Sequence, residues 1–152
     1  MADRFMSMDN LVFTLNSRSS RYRSKEVLSS YPLKTLDMVL KAALDIANKL
    51  MHPMFEEMDR TPPVFVKGQV KVHPGVRPML EILGRDGWIS APFPEEWEGE
   101  NMPASILHCI NFIFSSANYS AAVYSGLTTG AARLLLSFGS RDLQQWSLPG
   151  SG

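Results

Sequence analysis

PASILHCINFIFSSANYSAAVYSGLTTGAARLLLSFGS, residues 103 to 140, is the stretch whose reading decides the fold. Ile106, Leu107, Ile110, Ile113 and Phe114 recur at three and four, so the spacing predicts a central helix covered on more than one side. Asn118 is a candidate N-cap for a second helical segment, NYSAAVYSG. Thr128 or Thr129 is the candidate cap for a third, LTTGAARLLLSFG, with Gly126 marking the break and Gly139 the stop. Small residues four apart on a helix, here Gly126 and Gly130, leave a shallow groove that another helix or a ligand chain can approach closely.

Working towards the N-terminus, Ile89 opens a proline-rich connection, ISAPFPEEWEGENMP, too polar and broken for a strand. Before it, Val76, Met79, Leu80 and Leu83 resume helical spacing, with Pro78 tolerated in a first turn and Gly84 and Gly87 ending the helix. Val64 and Val66, then Val70 and Val72, alternate around Lys67-Gly68 and predict a small hairpin. A hairpin of two strands is marginal alone, so it must lie on helices or on another domain. From Pro32 on, Leu36, Val39, Leu40, Ala43, Leu44, Ile46, Ala47, Leu50 and Met51 trace an amphipathic helix. Residues 9 to 16, DNLVFTLN, fit a short helix or a strand equally.

The expected fold class is therefore all-α with a small β-hairpin insertion, organised as an N-terminal arm or loop (1–30), a helical domain (31–145) and a short tail (146–152). A chain of 152 residues is the size of one domain with a real core. An apolar fraction of 45% with 20% charged residues argues against wholesale disorder. Fifteen Lys plus Arg balance fifteen Asp plus Glu, so the net charge asks for neither nucleic acid nor an anionic membrane. The single Cys109 has no internal disulfide partner, and no run approaches a membrane span, so a cytoplasmic chain with no membrane span is the expectation.

Few residues offer chemistry. Arg18, Arg21, Arg23 and Lys25 within Ser17 to Glu26 suit a phosphate contact or simply a solvated loop. His52 and Glu56 lie four apart, but Pro53 intervenes and no second ligand pair follows, so no metal site is expected. His108 and Cys109 are adjacent and face different directions, which suits a core cysteine better than a catalytic pair. No dinucleotide fingerprint, phosphate-loop lysine or nucleophile elbow is present. No catalytic residue is assigned.

The order of segments does resemble a known family. GWISAPFPEEW (Gly87 to Trp97), an apolar helix, then NYSAAVYSGLTTGAARLLLSFGSRDLQQ and finally Leu148-Pro149 is similar to the N-terminal helical domain of the acyl-CoA dehydrogenases. That family has a Gly-(aromatic or Leu) turn into a Pro-Glu-Glu-(aromatic) loop, two helices, and a Gly-x-x-(Asp/Glu)-x-Gln segment leading to Leu-Pro. VFVKGQVKVHPG and NLVFTL point to its larger, longer-chain branch, and the resemblance covers roughly residues 9 to 149. The family loop runs Pro-Glu-Glu-Tyr-Gly-Gly, where this chain has Trp97, Glu98 and Gly99 in the last three places.

The resemblance implies an orthogonal helical bundle and a parent enzyme that desaturates acyl-CoA thioesters with FAD, passing electrons to an acceptor protein. Surfaces that would meet the following domain are uncovered in this chain, so it is expected to self-associate as a homo-oligomer, as a dimer at high protein concentration. It implies that the catalytic glutamate and most of the flavin site belong to domains that follow. No flavin is then expected on this chain alone, and the chain alone is expected to be inactive. It places Ala122, Val123, Gly126, Leu127 and Gly130 near the wall of the acyl pocket; the residues themselves suit close helix packing equally well. The other functional class is a non-catalytic helical module binding an acyl chain or a protein partner, with Phe112, Phe114, Tyr119 and Tyr124 available for an exposed face. Gly150-Ser151-Gly152 fits a natural tail, a truncated reading frame or the edge of an expressed fragment.

Overall fold

The computed structural model describes residues 5–19 and 32–148. Among them are six α-helices: α1 (Met8–Ser19), α2 (Leu33–Ile46), α3 (Phe55–Arg60), α4 (Val76–Arg85), α5 (Ala104–Phe138) and α6 (Arg141–Ser147). A single antiparallel hairpin, β1 (Val64–Val66) and β2 (Gln69–Lys71), stands between α3 and α4. The fold is all-α with a hairpin. The basic run Ser17 to Glu26 lies outside the described residues past Ser19, as does Pro149 to Gly152.

Leu36, Leu40, Ala43, Ala47 and Met51 are buried at the spacing the sequence predicts, and the helix they define outlasts α2. It widens and then tightens, through a π-turn (Ala47–Met51) and a 3-10 turn (His52–Met54), before α3 completes it. The opposite face is polar, and the exposed pairs Asp37–Lys41 and Asp45–Lys49, each 2.7 Å, stand in the favourable acid-first order. Residues 9 to 16, which fit helix or strand, are helical, and the Ser7 hydroxyl accepts from the Asn10 amide at the start of α1. Met6 is buried in the main core, and Leu11, Val12 and Leu15 pack against it.

α4 starts at Val76, so Pro78 falls in its first turn. Its end is a Schellman arrangement: the Gly87 amide donates to the Gly84 carbonyl and the Trp88 amide to the Leu83 carbonyl, with Gly87 at φ +76°. That turn reverses the chain and brings Trp88 back beside the core.

The hairpin has the expected register, Val64 opposite Lys71 and Phe65 opposite Val70, with Lys67 and Gly68 both at positive φ as a tight primed turn requires. Every residue of both strands is exposed, Phe65 by 73%.

α5 corrects one expectation and keeps another. No break occurs at Gly126, and neither Thr128 nor Thr129 caps a helix; Thr128 Oγ1 donates to the Tyr124 carbonyl within the continuous segment. A glycine inside a helix costs only about 1 kcal/mol, and the flanking Ala121, Ala122 and Ala132 are buried anchors. Asn118, in contrast, leaves the helical region (φ −165°, ψ 98°) and its Oδ1 accepts from the Ala121 amide, capping the second arm. α5 is thus two arms meeting at Asn118; it packs on α2 and the π-turn, and Ala43, Ala47, Ala117 and Ala121 are buried in the same core. Small side chains let those helices approach closely.

Candidate functional site

In a straight α5, Leu107 and Gly130 would stand about 34 Å apart at 1.5 Å per residue. Instead they border one cleft of about 140 Å³, so the arms diverge from Asn118 as two sides of a V. Ala104, Leu107, His108, Ile110, Asn111 and Phe114 come from the first arm, and Ser125, Gly126, Thr129, Gly130 and Arg133 from the second. Leu83 and Trp88, delivered by the turn after α4, complete the lining. The Trp88 and Phe114 rings meet edge-on, 5.9 Å between centroids, giving the cleft an aromatic side.

Of the five residues that the resemblance places at an acyl-pocket wall, Gly126 and Gly130 border the cleft. Ala122 is buried in the main core, Val123 is half-buried and Leu127 is exposed, and these three do not border it. A Cβ built on Gly126 or Gly130 would meet nothing within 4 Å. Within the described residues, then, no helix packs on these glycines. Helix packing is the work of the alanines, and the glycines keep a wall open. Thr129 ties that wall to the preceding connection, its Oγ1 donating to the Ile89 carbonyl at 3.3 Å.

A second small core holds the end of the V in place. Phe93, Ala132 and Leu148 are buried together, with Trp97 and Leu136 against them. Gln144 Nε2 donates to the carbonyls of Leu135, Leu136 and Gly139 at 3.1–3.3 Å, satisfying the exposed end of α5. Ser140 caps α6 by accepting from the Leu143 amide. Arg141 lies 5.2 Å over the Trp97 ring and pairs with Glu96 at 3.2 Å. The two stretches that carry the family resemblance therefore touch. The loop itself is tight: Glu98 adopts φ +56°, and a Cβ on Gly99 would collide with the Phe93 carbonyl.

His108 and Cys109 divide as adjacent helical residues do, His108 exposed and Cys109 buried, although both border a wider groove of about 580 Å³ with Phe5, Met6 and Phe112. Burial pushes the Cys109 thiol up, which disfavours the nucleophilic thiolate. The His52 ring lies tilted against Phe5, 5.2 Å between centroids, while Glu56 pairs with Arg60. No cluster of three metal-ligating side chains occurs among the described residues, and none of their helices is long and apolar enough to cross a membrane. Sequence reasoning missed Trp88, His108 and Arg133 as cleft residues; only the lone charge of Arg133 in an apolar segment was a signal for any of them. No protein-family model matches the chain, and no curated protein matches it.

Proposed function

We propose that this chain is the N-terminal helical domain of a flavin-dependent acyl-CoA dehydrogenase, an orthogonal bundle whose part is to form one wall of the acyl pocket. The observation that carries the reading is the open face of Gly126 and Gly130 on a cleft with an aromatic side, at the positions where the resemblance puts that wall. Contact between the Glu96–Trp97 loop and Arg141 supports it, because both halves of the resemblance then belong to one site. In such an enzyme the flavin supplies the hydride acceptor. No residue of this chain is assigned to hold it.

The chain's own contribution is binding and exclusion of water. Trp88, Phe114 and Leu107 offer apolar surface, and each acyl methylene buried against them contributes about 0.8 kcal/mol. Missing side chains at Gly126 and Gly130 leave room for the chain, and a pocket closed by neighbouring domains holds the thioester in a fixed pose. Gly126→Leu fills that room with a four-carbon side chain. It is expected to weaken octanoyl-CoA binding, followed by calorimetry, at least tenfold while sparing butyryl-CoA. Equal loss for both thioesters, or none for either, would sink the wall.

A non-catalytic partner-binding module is favoured by one observation, the exposed Leu127, Leu134 and Phe138 on the second arm. No saturable octanoyl-CoA binding by the chain, with or without flavin, would select that reading over a domain of a flavoenzyme.

A further inference from the structure

Arg133 is the one formally charged side chain in the 35 residues of α5. The other arginines with described side chains are all paired: Arg60 with Glu56, Arg77 with Glu81, Arg85 with Asp86 and Arg141 with Glu96. Arg133 has no ion pair among the described residues, and it borders the cleft between the arms, where no carboxylate does. We infer that this cleft takes a small carboxylate whose anion is received by Arg133 and whose apolar body lies between the aromatic side and the glycine wall.

Charge and shape agree on the ligand. A guanidinium presents a planar fork that matches a carboxylate, and such charge-assisted pairs are about twice as strong as neutral hydrogen bonds. His108 and Asn111, across the V, add polar groups to the same rim. Helical side chains lean towards the helix N-terminus, which for Arg133 is the Gly130 side. The apolar end is set by Trp88 and Phe114, 5.9 Å apart. A volume of about 140 Å³ is close to the roughly 150 Å³ of an apolar cavity that holds benzene. The fitting body has about six carbons. The same chemistry arises in a free acid or at the far end of an acyl group that ends in a carboxylate. The inference shares the cleft with the proposed function but stands on Arg133, not on the order of segments.

The test is titration of the chain with benzoate and with benzamide, its neutral near-isostere, followed by amide chemical shifts. Benzoate is expected to bind saturably and at least tenfold more tightly than benzamide. Arg133→Gln should remove that tenfold advantage of benzoate over benzamide, and Arg133→Lys should keep part of it. Equal binding of the two ligands, an unaffected Arg133→Gln, or no saturable benzoate binding would overturn the inference. Should Arg133→Gln fold poorly, raised salt on the wild-type chain serves instead, weakening benzoate and not benzamide. The N-acetylcysteamine half-thioester of adipate separates the two sources. Tighter binding than benzoate assigns the anion to an acyl group, and weaker binding assigns it to a free acid. Loss of octanoyl-CoA binding in Gly126→Leu alongside an inert Arg133→Gln overturns only this inference; the reverse pattern overturns only the acyl wall.

Discussion

Asn118 holds the two arms of α5 at their angle with three contacts from one side chain. Its Oδ1 caps the second arm, its Nδ2 donates to the Met51 carbonyl at 3.1 Å, and the same nitrogen lies 3.4 Å from Met58 Sδ. It is the one buried polar residue among those described, so losing it removes the cap on the Ala121 amide and a hydrogen bond to the Met51 carbonyl inside the core. Asn118→Ala is expected to cost about 2–3 kcal/mol, from the lost cap and the lost buried hydrogen bond together. In thermal melts that corresponds to a fall of roughly 5–10 °C. A loss below about 1 kcal/mol would show that the junction is held by packing alone. Glu98 makes the opposite case. It occupies a left-handed conformation where the resembling family has glycine, and such a conformation costs a side chain roughly 1–2 kcal/mol. Glu98→Gly is therefore expected to stabilise the chain by about 0.5–1 kcal/mol after the glycine's own entropy is counted. An unchanged urea midpoint would argue that the loop relaxes around Glu98.

At the scale of elements, what was legible followed from local chemistry. The period of Leu36 to Met51 gave its helix, and the Lys67-Gly68 pair gave the hairpin turn. Asn118 was legible as a cap because a short polar side chain before a run of small apolar residues has few other uses. Gly126 was misread for the same local reason. A glycine looks like a stop from sequence, yet Ala121, Ala122 and Ala132 bury the helix on both sides of it and outweigh its cost. The cleft was half legible. Gly126 and Gly130 advertise a wall, whereas Trp88 and His108 join it only because the Gly87 turn and the Asn118 junction bring distant segments together. The hairpin illustrates the limit in another way. Its turn is encoded locally, but its exposed Phe65 and Val70 leave it without a supporting surface among the described residues. Its amides are expected to exchange far faster than those of α2 in hydrogen-exchange mass spectrometry. Protection equal to α2 would mean that another surface covers it.

For the whole molecule, the exposed apolar face of the second arm has the largest consequence. Leu127, Leu134 and Phe138 lie seven and four apart on one side of α5, exposed by 69%, 60% and 83%, and Trp146 on α6 is 84% exposed. Soluble monomers rarely leave large apolar patches open to water. A domain packed on this face in a parent enzyme would cover it, and in the chain alone a second copy can. Sedimentation at high protein concentration is expected to show dimers, with Leu134→Glu combined with Phe138→Lys returning the chain to monomer. A strict monomer in the wild-type chain would contradict this.

The central claim is that an acyl group lies against Gly126 and Gly130 in the V of α5. Amide shift mapping of the labelled chain during titration with octanoyl-CoA tests it most directly, because glycine amides report a neighbour without a side chain in between. Saturable shifts are expected at Gly126 and Gly130 and at the Trp88 indole. Shifts confined to the groove beside Phe5 and Phe112, or no saturable shift at all, would contradict it.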